Sequence, residues 1–323
     1  MGLSKGRLKI SPEKLKNSFN YLNYQLITSN DYYKYAIDEL TKENLQKWSN
    51  FSKTIEIPFK LGKFNNEEHY LKTLRLVLAS THETRNRILF FVNEILPVIN
   101  PLGSLLDIGP GDGSLTLALA HHFRKIAAVD PNLHILNHLK TLLPSSNDFI
   151  LIPESILNAQ LQTECNNLVV LSHMLYYIDP KFWIEIISSA YSSLNENGVL
   201  VIVMGGDELG KAELINHFGG ETLRIDQLAK ECLKEYGKAN VNLYASNESF
   251  VTSTHEAMLH ISAFMLADAN ISTSKENLSL YINQRFHYSE SHFELTTLQK
   301  YIVIRKNTLK DNLYEFETIN TAN

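Results

Sequence analysis

The segment Leu105-Leu106-Asp107-Ile108-Gly109-Pro110-Gly111-Asp112-Gly113 constrains this chain more than any other. A short apolar run passes straight into glycines at every second position. Glycine has no Cβ, so such a turn can adopt left-handed conformations and let the backbone approach a ligand closely. The pattern predicts a strand over Ser104–Ile108, a tight turn, and a helix over residues 114–123. In an open α/β sheet this arrangement delivers a ligand to the carboxyl end of the first strand. A dinucleotide fingerprint reads G-x-G-x-x-G, whereas Gly109, Gly111 and Gly113 give G-x-G-x-G, with Ser114 where the third glycine belongs.

The pattern continues downstream. Lys125–Val129 reads as a second strand and ends at Asp130, an acid that can accept hydrogen bonds from ribose hydroxyls. A helix over 132–143 follows. Apolar runs at 149–152, 168–172 and 199–204 read as the third to fifth strands, with a helix over 180–194 before the fifth. Continuous apolar strands between helices predict a parallel sheet covered on both faces. Late strands near 241–246 and within 293–305, the latter carrying Tyr301-Ile302-Val303-Ile304, complete a seven-stranded Rossmann-like α/β sheet flanked by helices. Helices are expected near 207–217, 223–236, 255–268 and 276–286. The segments 207–240 and 253–290 are read as helical insertions forming a lid. Residues 67–97 read as one or two amphipathic helices that open the main domain, 67–323. Residues 1–66 read as a polar N-terminal helical extension, with helices over 11–25 and 30–50.

Composition narrows the function classes. The chain has 323 residues, of which 44% are hydrophobic and 20% charged, an ordinary globular balance. A formal net charge of −5 gives no electrostatic reason to expect a nucleic-acid partner. No apolar run reaches the roughly 18 residues a membrane span needs. Met1 to Ser11 is basic with no apolar run behind it, so no secretory signal is expected, and Gly6 departs from the myristoylation pattern that Gly2 suggests. Two cysteines, Cys165 and Cys232, make no disulfide framework. A cytoplasmic protein is expected, with no membrane partner and with the partner of the N-terminal segment left open. His134 and His138 are four apart on one helix, but no further ligand completes a metal set, and no metal is expected. Neither a G-x-S-x-G nucleophile elbow nor a phosphate-binding P-loop is present.

With the strand, glycine turn and terminal acid in place, the chain resembles the class I S-adenosylmethionine-dependent methyltransferases. The glycine spacing suits a methionyl tail better than a pyrophosphate. Within that superfamily, three stretches resemble histamine N-methyltransferase and its relatives. They are His69-Tyr70-Leu71-Lys72 through Ser80-Thr81-His82-Glu83, then Ser172-His173-Met174-Leu175-Tyr176-Tyr177-Ile178-Asp179, and the terminal Tyr301-Ile302-Val303-Ile304. The similarity spans roughly residues 67–306. It implies S-adenosylmethionine as cofactor and methyl transfer to a small molecule at an amine or imidazole nitrogen. It also implies that Glu83, before the first strand, receives the substrate amine, a role a carboxylate fills well. His173 stands where those enzymes have a glutamine, and Thr297 lies near the position of a substrate-contacting asparagine. Both departures count against histamine itself.

The candidate site residues carry alternatives. Gly109, Gly111, Gly113 and Asp130 are read as cofactor-binding, with Asp107 either reaching the cofactor amino group or bonding the turn. Ser155, after the third strand, is a candidate for the adenine edge, and Asp112 is read as a solvated turn residue. Glu83 either binds the substrate amine or is a surface residue of its helix. Tyr176 and Tyr177 either rim the site, where aromatic faces favour a sulfonium or ammonium, or pack between sheet and lid. His173 either takes a proton from the acceptor amine or only hydrogen-bonds at the cofactor. Alternative functions are oxygen or protein methylation, a nicotinamide-dependent oxidoreductase, and a non-catalytic cofactor-binding interaction protein.

Overall fold

A computed structural model describes residues 25–26, 67–145, 147–221, 224–269, 271–289 and 292–306. The helices expected over 11–25 and 30–50 lie outside the described residues, apart from Gln25, which together with Leu26 is a strand.

The strands in chain order are β1 (Gln25–Leu26), β2 (Ser104–Ile108), β3 (Lys125–Val129), β4 (Asp148–Ile152), β5 (Asn166–Ser172), β6 (Leu194–Gly205), β7 (Val241–Thr252), β8 (His287–Ser289) and β9 (His292–Arg305). They form one sheet in the order β1-β7-β9-β6-β5-β2-β3-β4, with β8 paired to β9. The seven expected strands form its body, and β1 and β8 are short additions that lack a continuous apolar run. β2 pairs parallel to both β3 and β5, while β9 is antiparallel to β6 and β7. The chain therefore steps outward from β2 to β4 and then crosses back to β5. This reversal opens a crevice at the carboxyl ends of β2 and β5, where such sheets receive ligands.

The helices are α1 (Glu67–Ala79), α2 (Glu83–Phe90), α3 (Ser114–Leu119), α4 (Leu133–Leu142), α5 (Trp183–Ser192), α6 (Leu209–His217), α7 (Ile225–Tyr236), α8 (His255–Asp268) and α9 (Lys275–Arg285). Strand side chains alternate between faces. On one face, Leu106, Ile108, Val169, Leu171, Leu200 and Ile202 pack with Trp183 and Ile187 of α5 and Leu228 and Cys232 of α7. On the other, Leu105, Leu168, Val170 and Val201 pack with Phe90 and Phe91 at the end of α2 and with Leu115 and Leu119 of α3. A separate apolar core joins α1, α6, α8 and α9 to Phe250 of β7 and Leu295 of β9. These four helices form a cap. Within 207–240 only α6 joins the cap; α7 packs on the sheet, because its stripe of Ile225, Leu228, Ala229 and Cys232 is fully apolar and buried there. Lys300 of β9, 1% exposed, ties this region down through ion pairs of 2.7 Å to both Glu208 and Asp226.

Candidate active site

One cavity of about 430 Å³ runs from the glycine turn to the cap. Its lining includes Glu83, Arg87, Asp107, Gly109, Gly111, Asp130, Ser155, His173, Tyr176 and Tyr177. Of the cofactor-binding candidates, only Gly113 is absent from the lining. It is buried, and a Cβ there would stand 2.7 Å from Leu139 Cδ1, so its work is to seat the turn on α4.

The three glycines have φ of +72°, +58° and +76°, the left-handed region that side chains disfavour. A Cβ on Gly109 would lie 2.6 Å from Met174 Cβ, whereas one on Gly111 would meet nothing within 4 Å. Gly111 therefore leaves bare backbone facing the open cavity. Asp112 is not merely solvated: it accepts hydrogen bonds from the amide (3.2 Å) and hydroxyl (2.7 Å) of Ser114 at the start of α3.

Asp107 is 2% exposed. Thr116 donates to its Oδ2, while Oδ1 is buried with no partner among the described residues. It thus bonds neither the turn amides nor a cap. Burial pushes its carboxyl up to about 6, assisted by the charges of Asp130 and Asp112 and opposed by Thr116 and Arg87. Asp130, at the end of β3, accepts the Asn132 amide at 2.8 Å, and burial raises its carboxyl above the ordinary value. Ser155 lines the cavity beyond β4, while Glu154 is exposed and does not.

The other end of the cavity is built from distant segments. Thr81 accepts the Glu83 amide at 3.1 Å, and Val251 donates to the Ser80 carbonyl at 2.7 Å, so the corner before α2 is pinned to β7. Glu83 then opens α2, where the helix dipole favours its charge. Its Oε1 lies 2.9 Å from His173 Nε2 and also accepts from Gln299 Nε2. Among the described residues nothing bonds Oε2, and Glu83 lines the cavity. Burial opposes ionisation of Glu83, but His173, then Arg87 and Lys211, outweigh it and hold the carboxyl down to about 2.

His173 follows β5 with φ of +55°, a strained conformation for a residue with a side chain, secured by its amide bond to the Val203 carbonyl at 2.9 Å. Its Nδ1 lies 3.0 Å from the Tyr176 hydroxyl, whose oxygen accepts the Gly205 amide. The Tyr176 proton is thereby directed at Nδ1, and Nε2 carries the hydrogen given to Glu83. The 3.0 Å approach of Gln299 Nε2 to His173 Nε2 is then that of two donors sharing Oε1. Gln299 is held in turn by Tyr301, which donates to its Oε1. Burial lowers the His173 imidazole below its ordinary value despite the pull of Glu83.

Sequence reasoning missed Arg87 and Gln299. Arg87 is 7% exposed, its Nε has no partner among the described residues, and its Nη2 makes only a 3.4 Å bond to Thr84. The signal was available: Arg87 follows Glu83 by one helical turn and shares its face. Thr297 does not line the cavity; it sits opposite Glu248 in the β7–β9 ladder, and Gln299 reaches the site instead. Tyr177 is 63% exposed at the cavity mouth, its hydroxyl 3.1 Å from that of Tyr70. Among the described residues no group of three or more His, Cys, Asp or Glu is arranged to hold a metal, and no helix is long and apolar enough to cross a membrane.

Residues 80–237 match the family of the methyltransferase domain. Curated relatives include the ribosomal RNA small subunit methyltransferases A of Fusobacterium nucleatum, 27% identical over 43% of this chain and 57% of that protein, and of Legionella pneumophila strain Corby, 33% identical over 28% of this chain and 36% of that protein. The chain thus spans little more than half, or about a third, of these relatives' length. Among solved structures, a SAM-dependent methyltransferase of Archaeoglobus fulgidus aligns at a TM-score of 0.43 and 17% identity, over 69% of this chain and 94% of that one. A Haemonchus contortus phosphoethanolamine N-methyltransferase, solved with phosphomonomethylethanolamine and S-adenosylhomocysteine, aligns at 0.43 and 14%, over 69% and 53%.

The residues present fit the methyl donor of such a domain. The lone Oδ1 of Asp107 suits the ammonium of a methionyl tail, the under-bonded guanidinium of Arg87 its carboxylate, and bare Gly111 leaves the approach open. Asp130 stands at the strand end expected for a ribose diol. Residues 80–237 thus match a methyltransferase domain, and the lining of the cavity fits S-adenosylmethionine as the donor such a domain uses.

Proposed function

We propose that the protein methylates a nitrogen of a small molecule, with the acceptor amine received by Glu83. One observation carries this reading: Glu83 is an ionised carboxylate whose Oε1 is tied by His173 and Gln299 while Oε2 remains for the cavity that also holds the glycine turn. The resemblance to the histamine N-methyltransferase branch supports the same role for Glu83. His173, standing where that branch has a glutamine, argues against histamine as the acceptor.

When bound, S-adenosylmethionine supplies a methyl carbon activated by a cationic sulfur. The protein's own task is to hold and orient. Asp107 and Arg87 take the two charges of the methionyl tail, Asp130 the ribose, and Ser155 the adenine edge. Glu83 accepts an N–H of the neutral amine and so aims its lone pair. As the nitrogen becomes cationic, the fixed carboxylate beside it gains attraction that the neutral amine did not feel, which is selective stabilisation of the transition state. His173 acts as a hydrogen-bond donor that orients Glu83. Its lone pair is engaged by Tyr176 and its basicity is lowered by burial, so it is not the acceptor of the amine proton.

A second reading, transfer to RNA, draws support from the ribosomal RNA methyltransferases among the relatives. The net charge of −5 offers no general attraction for phosphates. Calorimetry with S-adenosylhomocysteine, on wild type and Asp130→Ala, tests the cofactor assignment. Label transfer from S-adenosylmethionine to biogenic amines or to ribosomal RNA then separates the readings. Labelled RNA with unlabelled amines would overturn the small-molecule assignment.

A further inference from the structure

We propose that the acceptor is an amine carrying an apolar, ring-sized body with no second polar group, bound between the helical cap and the sheet. This rests on the reading of the protein as an amine methyltransferase and refines it. Beyond Glu83, the cavity is walled by Leu74, Val77 and Leu78 of α1, Phe250 of β7, and Phe264 and Met265 of α8. None of these six side chains offers a hydrogen bond. A hydroxyl or imidazole at the far end of the acceptor would lose its water there with no replacement from this wall. A hydrocarbon body gains by leaving water.

The wall is also firm. Val77, Phe250, Phe264 and Met265 belong to the core that holds α1, α6, α8 and α9 together, and each is 7% exposed or less. At the mouth the Tyr70 ring lies 5.7 Å from that of Phe264, and its hydroxyl meets that of Tyr177 at 3.1 Å. The apolar lining therefore continues into an aromatic rim, and the polar side chains of the acceptor end gather at Glu83, Thr84, His173, Tyr176 and Lys211, whose Nζ lies 5.4 Å from the centre of the Tyr176 ring. One charged floor under carbon walls selects a head-and-body amine.

The test measures methyl transfer by the full chain to 2-phenylethylamine, ethanolamine and histamine, with S-adenosylhomocysteine binding followed by calorimetry in parallel. We expect kcat/KM for 2-phenylethylamine to exceed both others by at least about tenfold, the scale of a buried hydrocarbon group in a specificity pocket. Leu78→Asn, at a half-buried wall position that a folded protein can accommodate, should raise KM for 2-phenylethylamine about tenfold and leave cofactor affinity intact. Preference for ethanolamine or histamine overturns the apolar acceptor while amine methylation stands. Cofactor binding with no transfer to any of the three overturns both, and a Leu78→Asn protein with unchanged KM overturns the wall.

Discussion

Asp107, the glycine turn, Asp130 and Ser155 bring most of the proposed cofactor end of the cavity from one stretch of chain, joined by Arg87 of α2, and Gly111 offers it bare backbone. The acceptor end is assembled across the molecule. Glu83 comes from α2, His173 from the loop after β5, and Gln299 from β9, 216 positions from Glu83 and 126 from His173. A backbone floor can be altered only by adding atoms to it, so it suits a ligand that never changes. A side-chain network can be re-tuned one residue at a time without touching the floor, and it suits an acceptor that differs between proteins.

The sharpest test of this contrast is within the turn. Gly109→Ala puts a Cβ 2.6 Å from Met174 Cβ at a left-handed position. Left-handed strain costs about 1–2 kcal/mol and overpacking a further ~1–3 kcal/mol. The expected outcome is a thermal midpoint lower by several degrees and no measurable S-adenosylhomocysteine binding. Gly111→Ala carries only the strain, since nothing lies within 4 Å. Its midpoint should fall less, while cofactor affinity still falls more than tenfold because the methyl group points into the cavity. A Gly111→Ala protein that binds like wild type would break the idea of a backbone floor. At the other end, Glu83→Gln should lower kcat/KM for the acceptor by about 10- to 150-fold, the range of a charge-assisted hydrogen bond of ~1.5–3 kcal/mol. Cofactor affinity should stay within about threefold. Equal losses in both would mean that the two ends are one unit.

A smaller effect separates the ends by pH. Asp107 titrates near 6, raised from 3.8 by burial. If its carboxylate holds the cofactor ammonium, affinity for S-adenosylhomocysteine falls about tenfold from pH 7 to pH 5. The cofactor-free protein responds in the opposite sense. Between pH 3.8 and about 6 the folded chain keeps a proton that the unfolded chain has released, so stability falls as pH rises through that window. Glu248, raised by burial to about 7 on β7, acts in the same direction from pH 4.5 upward. Without ligand, the thermal midpoint should fall more from about pH 4 to 6 in wild type than in Asp107→Asn, a difference that separates Asp107 from His173 and His260, whose lowered imidazoles act in the opposite sense. An Asp107→Asn midpoint that tracks the wild type across this window would sink the assignment of a buried Asp107 whose Oδ1 has no partner among the described residues.

The same contrast decides what could be read from the sequence. Strands β2, β3, β5 and β6 each carry a run of buried apolar residues, so period and length identify them, and the glycine spacing identifies the turn. β7 was read only to residue 246, but it extends to Thr252. Its inward positions beyond Ala245 include Ser246 and Glu248, 5% and 4% exposed, whose polarity breaks the alternation. Inside, Ser246 donates to Glu248 at 2.9 Å, and Glu248 also accepts from Asn86 at 2.9 and 3.1 Å. A buried polar network looks like loop in one dimension. Gln299 was illegible for a related reason: between Leu298 and Lys300 it is one more strand residue, and only the fold brings it to Glu83. Glu83, His173 and Tyr176 were nameable, but their mutual contact was not.

Tyr176→Phe makes the finest cut. The hydroxyl accepts the Gly205 amide and faces His173 Nδ1 at 3.0 Å, which keeps the hydrogen of His173 on Nε2 toward Glu83 at 2.9 Å. Without it, Nδ1 and the amide lose partners at a cost of about 0.5–1.5 kcal/mol, or ~2- to 12-fold in kcat/KM, with cofactor affinity unchanged. The pH profile carries more information than the magnitude. If His173 only orients Glu83, the wild-type profile follows the ionisation of the acceptor amine, and changing to an acceptor of lower pKa moves it by the same amount. In the variant, Nδ1 is released to take a proton, so a second inflection in the imidazole range should emerge. A wild-type profile that already bends there, stays fixed when the acceptor changes and loses the bend in His173→Gln makes His173 a base. The acceptor end would then work by moving a proton, and its resemblance to the fixed, preorganised cofactor end would be lost.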